Sequence, residues 1–393
     1  MSTQRSWRAL ICLLWVMLAG VFSHPAQAKP EFYLVTYGPG TEVWERFGHN
    51  ALWLRDRVSG EDRLFNYGFF DFQQKGFFKN FLLGRMLYFA AATEPSDEFA
   101  FYQRYNRTIQ YQRLNLNDEQ AQRLADVLKR SVQPEHREYL YDYFLDNCST
   151  RVRDAIDEAL GQHLAQQSET LSAETTFRES ALTLVQDDFL LYLGIQLGLG
   201  RMTDEVINQW QYFYLPVQFS EFLQNVTNDE QQPLTGPTET FYQGHVPPAE
   251  LKPPYLAFTV LLLASVLLMV LPYALVRKGS RWRLLGVRLW WALTGLGGLL
   301  LCFLWFATDH QAAWRNENVL LLMPLSLGLA VSPFARASRS LSLLLFASLI
   351  LALIMKLTPT HQYNYDLLLW LVPAQCLALY LWYRMAQQKN STV

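Results

Sequence analysis

Hydrophobic and polar positions follow two different patterns along the 393 residues. From residue 29 to about 252 they alternate or recur at short periods, with charges throughout. From Tyr255 onward, long runs of Leu, Ala, Val and Trp take over. In the first part, period-two alternation predicts strands over Phe32–Tyr37, His49–Leu54 and Arg63–Tyr67. The last two are joined by a turn at Ser59-Gly60, and further strands are expected at Met86–Thr93 and Thr108–Leu116. Asn117 with Gln120 forms a helix start leading through Leu124 and Leu128. Ser149 to Leu160 reads as an amphipathic helix stopped by Gly161. Residues 166–250 read as helices and loops. Among them Phe189–Leu199 is apolar but too short to span a bilayer. Pro233, Pro237, Pro247, Pro248, Pro253 and Pro254 predict a stiff linker.

The apolar part predicts five spans, at Tyr255–Val276, Leu289–Ala307, Val319–Val331, Leu341–Met355 and Tyr365–Tyr383. Arg277, Lys278, Arg281, Arg283 and Arg288 lie between the first two, Arg336 and Arg339 between the third and fourth, and Arg384 and Lys389 in the tail. The other loops hold only Arg315 and Lys356. Basic loops stay in the cytoplasm, so the soluble part faces outward and the C-terminus inward. Tyr255, Trp314, Trp370, Trp382 and Tyr383 are expected in an interfacial belt. Arg5 and Arg8, an apolar run from Ala9 to Phe22, and Ala26-Gln27-Ala28 predict a cleaved secretory signal over residues 1–28. The net charge of −2, with no basic block in the soluble part, argues against nucleic acid as a partner.

Chemistry is expected at Cys148. Cys12 falls in the signal, and Cys302 and Cys376 fall in spans, so Cys148 is the one cysteine of the soluble part. It stands where a helix begins, with Asn147 or Asp146 able to cap that helix. A helix N-terminus and a nearby imidazole stabilise a thiolate and can bring its pKa to about 3.5–7.5. First-turn N–H groups can hold an oxyanion, and Arg151 can add positive charge. His49, opening an apolar strand after Gly48, is the favoured base over His136, His163 and His245. Asn66 is its candidate orienting partner, with Asp71 in reserve. No second cysteine or close histidine pair accompanies them, so neither a metal nor a cofactor is expected.

Three segments carry a resemblance: Phe47-Gly48-His49-Asn50-Ala51-Leu52, Asn66-Tyr67-Gly68-Phe69-Phe70-Asp71-Phe72 and Leu145-Asp146-Asn147-Cys148-Ser149-Thr150-Arg151. They resemble the Lnb family of bacterial lipoprotein N-acyltransferases, and the likeness continues through Trp210–Pro216 and Asp309-His310…Asn316-Glu317-Asn318. The resemblance implies an α+β, permuted papain-like (NlpC-type) periplasmic domain with helical additions, then an α-helical membrane domain of about five spans. The corresponding division is a signal at 1–28, a catalytic core at 29–165, a helical extension and linker at 166–252, and the membrane domain at 253–393.

The resemblance also implies Cys148 as nucleophile and His49 as base; Asn66 remains this reading's own choice of orienting residue. Asn147, Arg151, Tyr67, Asp71, Asp309, His310, Asn316 and Asn318 are expected substrate contacts, the last four for a lipid headgroup. The implied partners are a membrane phospholipid as acyl donor and lipidated lipoprotein N-termini as acceptor, at the bacterial inner membrane. Two other readings stand beside it: a periplasmic cysteine amidase or peptidase acting on cell-wall peptides, and a non-catalytic, membrane-anchored lipid- or peptide-binding protein.

Overall fold

The computed structural model describes residues 29–228, 231–245, 250–277, 280–332 and 336–390. The predicted signal, Pro247, Pro248 and Lys278 lie outside them. Strands β1 (Glu31–Tyr37), β2 (His49–Asp56), β3 (Glu61–Phe69), β4 (Leu87–Thr93), β5 (Ile109–Arg113), β6 (Glu138–Leu140) and β9 (Glu239–Tyr242) form one antiparallel sheet in the order β6-β4-β3-β2-β1-β5-β9. Two further strands, β7 (Ser172–Thr176) and β8 (Val206–Asn208), pair separately. The helices of this part are α1 (Phe77–Leu82), α2 (Pro95–Arg104), α3 (Asp118–Ser131), α4 (Cys148–Ala159), α5 (His163–Ser168), α6 (Phe177–Val185), α7 (Phe189–Gly198), α8 (Gln209–Tyr212) and α9 (Pro216–Leu223).

Alternation along the strands builds two apolar layers. Leu34, Leu52, Leu54 and Phe65 bury against Leu124 and Leu128 of α3 and Val152 and Ile156 of α4. Tyr33, Val35, Tyr37, Ala51 and Trp53 face the other way, toward Phe99 of α2. The helix start at Asn117 is a capping box, its side chain accepting from Gln120 N while Gln120 returns a bond. The proline-rich stretch departs from the expected linker. Leu234 is fully buried, Thr235 bridges to Leu114, and β9 pairs with β5 at the sheet edge. Proline lacks an N–H to donate, which an outermost strand tolerates, so Pro233 and Pro237 can flank β9.

Beyond Tyr255 follow α10 (Tyr255–Leu275), α11 (Leu285–Phe306), α12 (Asn318–Leu321), α13 (Ser326–Val331), α14 (Arg336–Met355) and α15 (Tyr365–Asn390). Among the described residues four helical stretches are long and apolar enough to cross a membrane: Tyr255–Leu275, Trp282–Phe306, Ser338–Met355 and Tyr365–Gln387. The third of the five expected runs is not one continuous helix. That run is broken into α12 and α13 around Pro324, which has no N–H for a continuous helix. The broken pair lies along α11, where Leu322 O packs so closely on Gly298 that no side chain fits there. At its end, Ala330 O and Ser332 O accept from Arg288 near the start of α11.

The aromatic belt is also only partly peripheral. Tyr255 and Tyr383 are exposed, but Trp382 is buried against Trp291, and Trp370 donates to Ser265 inside the bundle.

Candidate active site

Cys148 is the first residue of α4, and its neighbours fix the helix tip. The Asn147 side-chain oxygen accepts from Ser149 N at 2.9 Å and Thr150 N at 3.0 Å, and Thr150 Oγ1 accepts Asn147 N in return. The segment after α8 completes the cradle. Tyr214 O accepts from Asn147 Nδ2, Phe213 O from the Ser149 hydroxyl at 2.6 Å, and Pro216 O from Asn50 Nδ2. Asn50 also donates to Ser149 Oγ at 3.1 Å, which binds the start of β2 to the start of α4. The sulfur is therefore held at the end of the sheet, facing the backbone N–H groups of Asn50 and Ser149. Gly68 leaves room beside it: a β-carbon there would stand 3.6 Å from that of Cys148.

His49 opens β2 and is locked on its far nitrogen. Its Nε2 lies 2.8 Å from Asn66 Oδ1. Asn66 Nδ2 donates to Glu98 Oε2 at 2.7 Å and to Thr93 Oγ1 at 3.0 Å, so its oxygen is the atom turned to the ring. Nε2 must then carry the proton, and Nδ1 is the free acceptor. The ring stacks over Tyr37, at 5.9 Å and 20°, and Tyr102, at 6.3 Å and 14°.

Burial dominates the electrostatics. Loss of water pushes the Cys148 thiol up to about 11, although the N–H groups of Asn50 and Ser149 and the charge of Arg107 pull the other way. The same loss lowers His49 to about 4; its bond to Asn66 raises it and Arg107 lowers it further. Both shifts favour the uncharged forms, with desolvation outweighing the pull of the helix tip on the thiol. Both groups keep part of their surface open.

The other named residues fall into three groups. Asn147 and Arg151 stand by the thiol but are already engaged. Arg151 pairs with Asp146, with Nη2 at 2.6 Å from Oδ2, and lies over the Tyr139 ring at 4.1 Å, so its charge serves the loop before the helix. Tyr67 is buried in the core with its hydroxyl on Ser131, and Asp71 is exposed and caps its own turn through Gln73 N. The partner of His49 is Asn66, and the Asp71 carboxylate is bonded within its own turn. Asn316 and Asn318 are buried and bind the last carbonyls of α7, from Gln196 to Gly198. That use displaces the headgroup role expected of them. Asp309 pairs with Arg85, and His310 bonds Phe81 O and stacks on Tyr143.

The sequence reading missed Glu98, Tyr102 and Arg107. Arg107 is buried, bonds Gly38 O, lies 4.6 Å from the centre of Tyr102, and keeps Nη2 without a hydrogen-bond partner among the described residues. A buried glutamate or arginine has no local pattern. No group of three or more potential metal ligands occurs among the described residues.

An α/β domain with a half-buried cysteine at a helix tip, fixed to helices long enough to cross a bilayer, defines a membrane protein with a domain outside the membrane. Residues 26–181 match the Lnb N-terminal periplasmic domain, and residues 248–361 match the Lnb transmembrane domain. The chain belongs to the Lnb family and is an inner-membrane protein with a periplasmic N-terminal domain. Comparisons with curated proteins and with solved structures each return no match.

Proposed function

We propose that this protein is a thiol-dependent N-acyltransferase. It moves an acyl chain from a membrane phospholipid to the α-amine of a lipoprotein's lipidated N-terminal cysteine. The observation that carries the reading is a cysteine on a capped helix tip at the end of the sheet where β2 begins. The N–H of Asn50 meets its sulfur, and the preceding residue, His49, has Nε2 fixed by Asn66. The order of histidine strand before cysteine helix fits a permuted papain-like core of the NlpC type, with residues 166–252 as its extension and 253–393 as the membrane domain. The basic residues Arg277, Arg281, Arg283 and Arg288 favour a cytoplasmic first loop and a cytoplasmic C-terminus.

In the first half-reaction the Cys148 proton passes to His49 Nδ1 as sulfur attacks the ester carbonyl carbon. Starting from a neutral pair, the base acts during attack rather than before it. The carbonyl oxygen takes the negative charge, and the first-turn N–H groups beside the sulfur, those of Cys148 and Ser149, would receive it. Collapse breaks the C–O bond. The departing lipid oxygen takes the proton from the imidazolium, leaving a lysolipid and a thioester. In the second half the amine attacks the thioester, His49 takes its proton, and sulfur leaves and is reprotonated. Arg107 favours the anionic sulfur and disfavours the imidazolium. Asn66 holds the ring, with Glu98 behind it.

The test is complementation of cells lacking lipoprotein N-acylation, with mass spectrometry of one lipoprotein's N-terminal peptide. The wild-type chain restores the N-acyl group and shows an acyl adduct on Cys148, and Cys148→Ala loses both. Normal N-acylation by Cys148→Ala ends the proposal.

A further inference from the structure

The strand that passes the thiol continues into an exposed aromatic surface. Gly68 lies beside Cys148, and the next residues are Phe69 and Phe70. Phe70 packs on Phe72 at 4.9 Å and on Phe77 at 5.9 Å, and Phe77 is buried as the inner face of α1. The outer face is apolar and open: Phe72 is 60% exposed, Phe78 74%, Phe81 44% and Leu82 52%. Such a surface is too apolar to be left to water without an occupant.

The structure places that helix at the level where the spans end. The Leu83 carbonyl accepts Asp309 N at 2.8 Å, His310 Nε2 lies 3.0 Å from Phe81 O, and Arg85 pairs with Asp309 at 2.7 Å. Asp309 follows Phe306, the last residue of α11, by three positions, and Phe306 is itself 72% exposed. Gly84, at φ +75°, fits against this loop; a β-carbon there would come within 2.6 Å of His310 N. Lys75 and Lys79 are exposed on the same segment, and their charge suits anionic headgroups.

We propose that α1 and the preceding loop, through Phe72, Phe78, Phe81 and Leu82, seat in the outer leaflet of the bilayer. They form a lipid-contacting foot that joins the membrane surface to the Cys148 end of the sheet. The occupant is lipid rather than another protein because the helix is bonded to the end of a span and shares its apolar exposure. The inference rests on the reading of the apolar helices as membrane spans, and not on acyl transfer.

The test is photocrosslinking in the full chain, reconstituted in vesicles of phosphatidylethanolamine and phosphatidylglycerol. A benzophenone amino acid replaces Phe78 in one variant and Phe81 in a second, so that one misfolding substitution does not decide the matter. Val58, 54% exposed in the β2–β3 hairpin at the far end of β2 from His49, carries it in the control. Phospholipid-mass adducts are expected on the peptides at 78 and 81, about tenfold above position 58. Absence of lipid adducts at both sites, equal yield at 58, or crosslinks to protein overturns the inference. Each readout is independent of turnover, so loss of the acyltransferase reading leaves the result standing.

Discussion

Asn316 and Asn318, at one end of the helical bundle, have their side-chain amides committed to the last carbonyls of α7, carbonyls that a helix end otherwise leaves unpaired. Asn318 Oδ1 accepts from Asn364 as well, and Gln362 reaches Leu199 O. Around Cys148 and His49 the supporting side chains keep buried polar atoms without a hydrogen-bond partner among the described residues: Asn50 Oδ1, Glu98 Oε1 and Arg107 Nη2. Both regions are polar, and both looked like sites in the sequence. They differ in what their side chains meet. At the bundle the amides form a joint that closes a helix end, and at the sheet they surround a thiol and an imidazole that stay partly open.

The sharpest way to break that comparison is at the base. His49→Ala is expected to lower N-acylation by about 10²–10⁴-fold while leaving the melting temperature close to that of the parent. A stability loss with unchanged turnover per folded molecule would make His49 a joint like Asn318.

A second test uses pH. With the thiol raised to about 11, Cys148 in the resting protein should react with iodoacetamide roughly two to three orders of magnitude more slowly at pH 7 than a free cysteine, accelerating as pH rises toward 11. His49 works in the other direction. The unfolded chain takes up its proton near pH 6.5 and the folded chain only near 4, so its contribution to stability is full above 6.5 and is lost as pH falls through that window. Rapid alkylation at pH 7 without substrate would show a thiolate already formed.

The smallest effect is expected at the joint. Asn318→Ala takes one donor from the carbonyls of Gln196 and Leu197 and leaves Asn364 Nδ2 without its acceptor, and should cost about 1–3 kcal/mol of stability. The alkylation rate of Cys148 should not change. Altered thiol reactivity in that variant would mean that the two regions are coupled.

Local signals carried much of this architecture. The strands at Phe32, His49 and Arg63, the box at Asn117 and the helix at Cys148 were all legible, because alternation and capping are written within a few residues. So was the choice of Asn66, since strands joined by a short turn must pair in register, and Ala51 meets Asn66. Glu98 and Arg107 were not legible, because only the packing of α2 and the start of β5 on the sheet brings them to the ring. The proline stretch misled because its pairing partner, β5, lies more than a hundred residues away. The break at Pro324 in the third apolar run was not legible, because composition registers an apolar run but not where its helix is interrupted. Asn316 and Asn318 misled because a polar loop between apolar runs looks the same whether it meets a headgroup or a helix end.

The cradle around the thiol has a consequence for the order of events during synthesis. Phe213, whose carbonyl fixes Ser149, is 64 residues later in the chain. A ribosome has therefore made Cys148 long before it makes the clamp. Until that clamp arrives, the helix tip lacks the carbonyls that fix Asn147 and Ser149, and the setting of the thiol is complete only once the later segment closes over it.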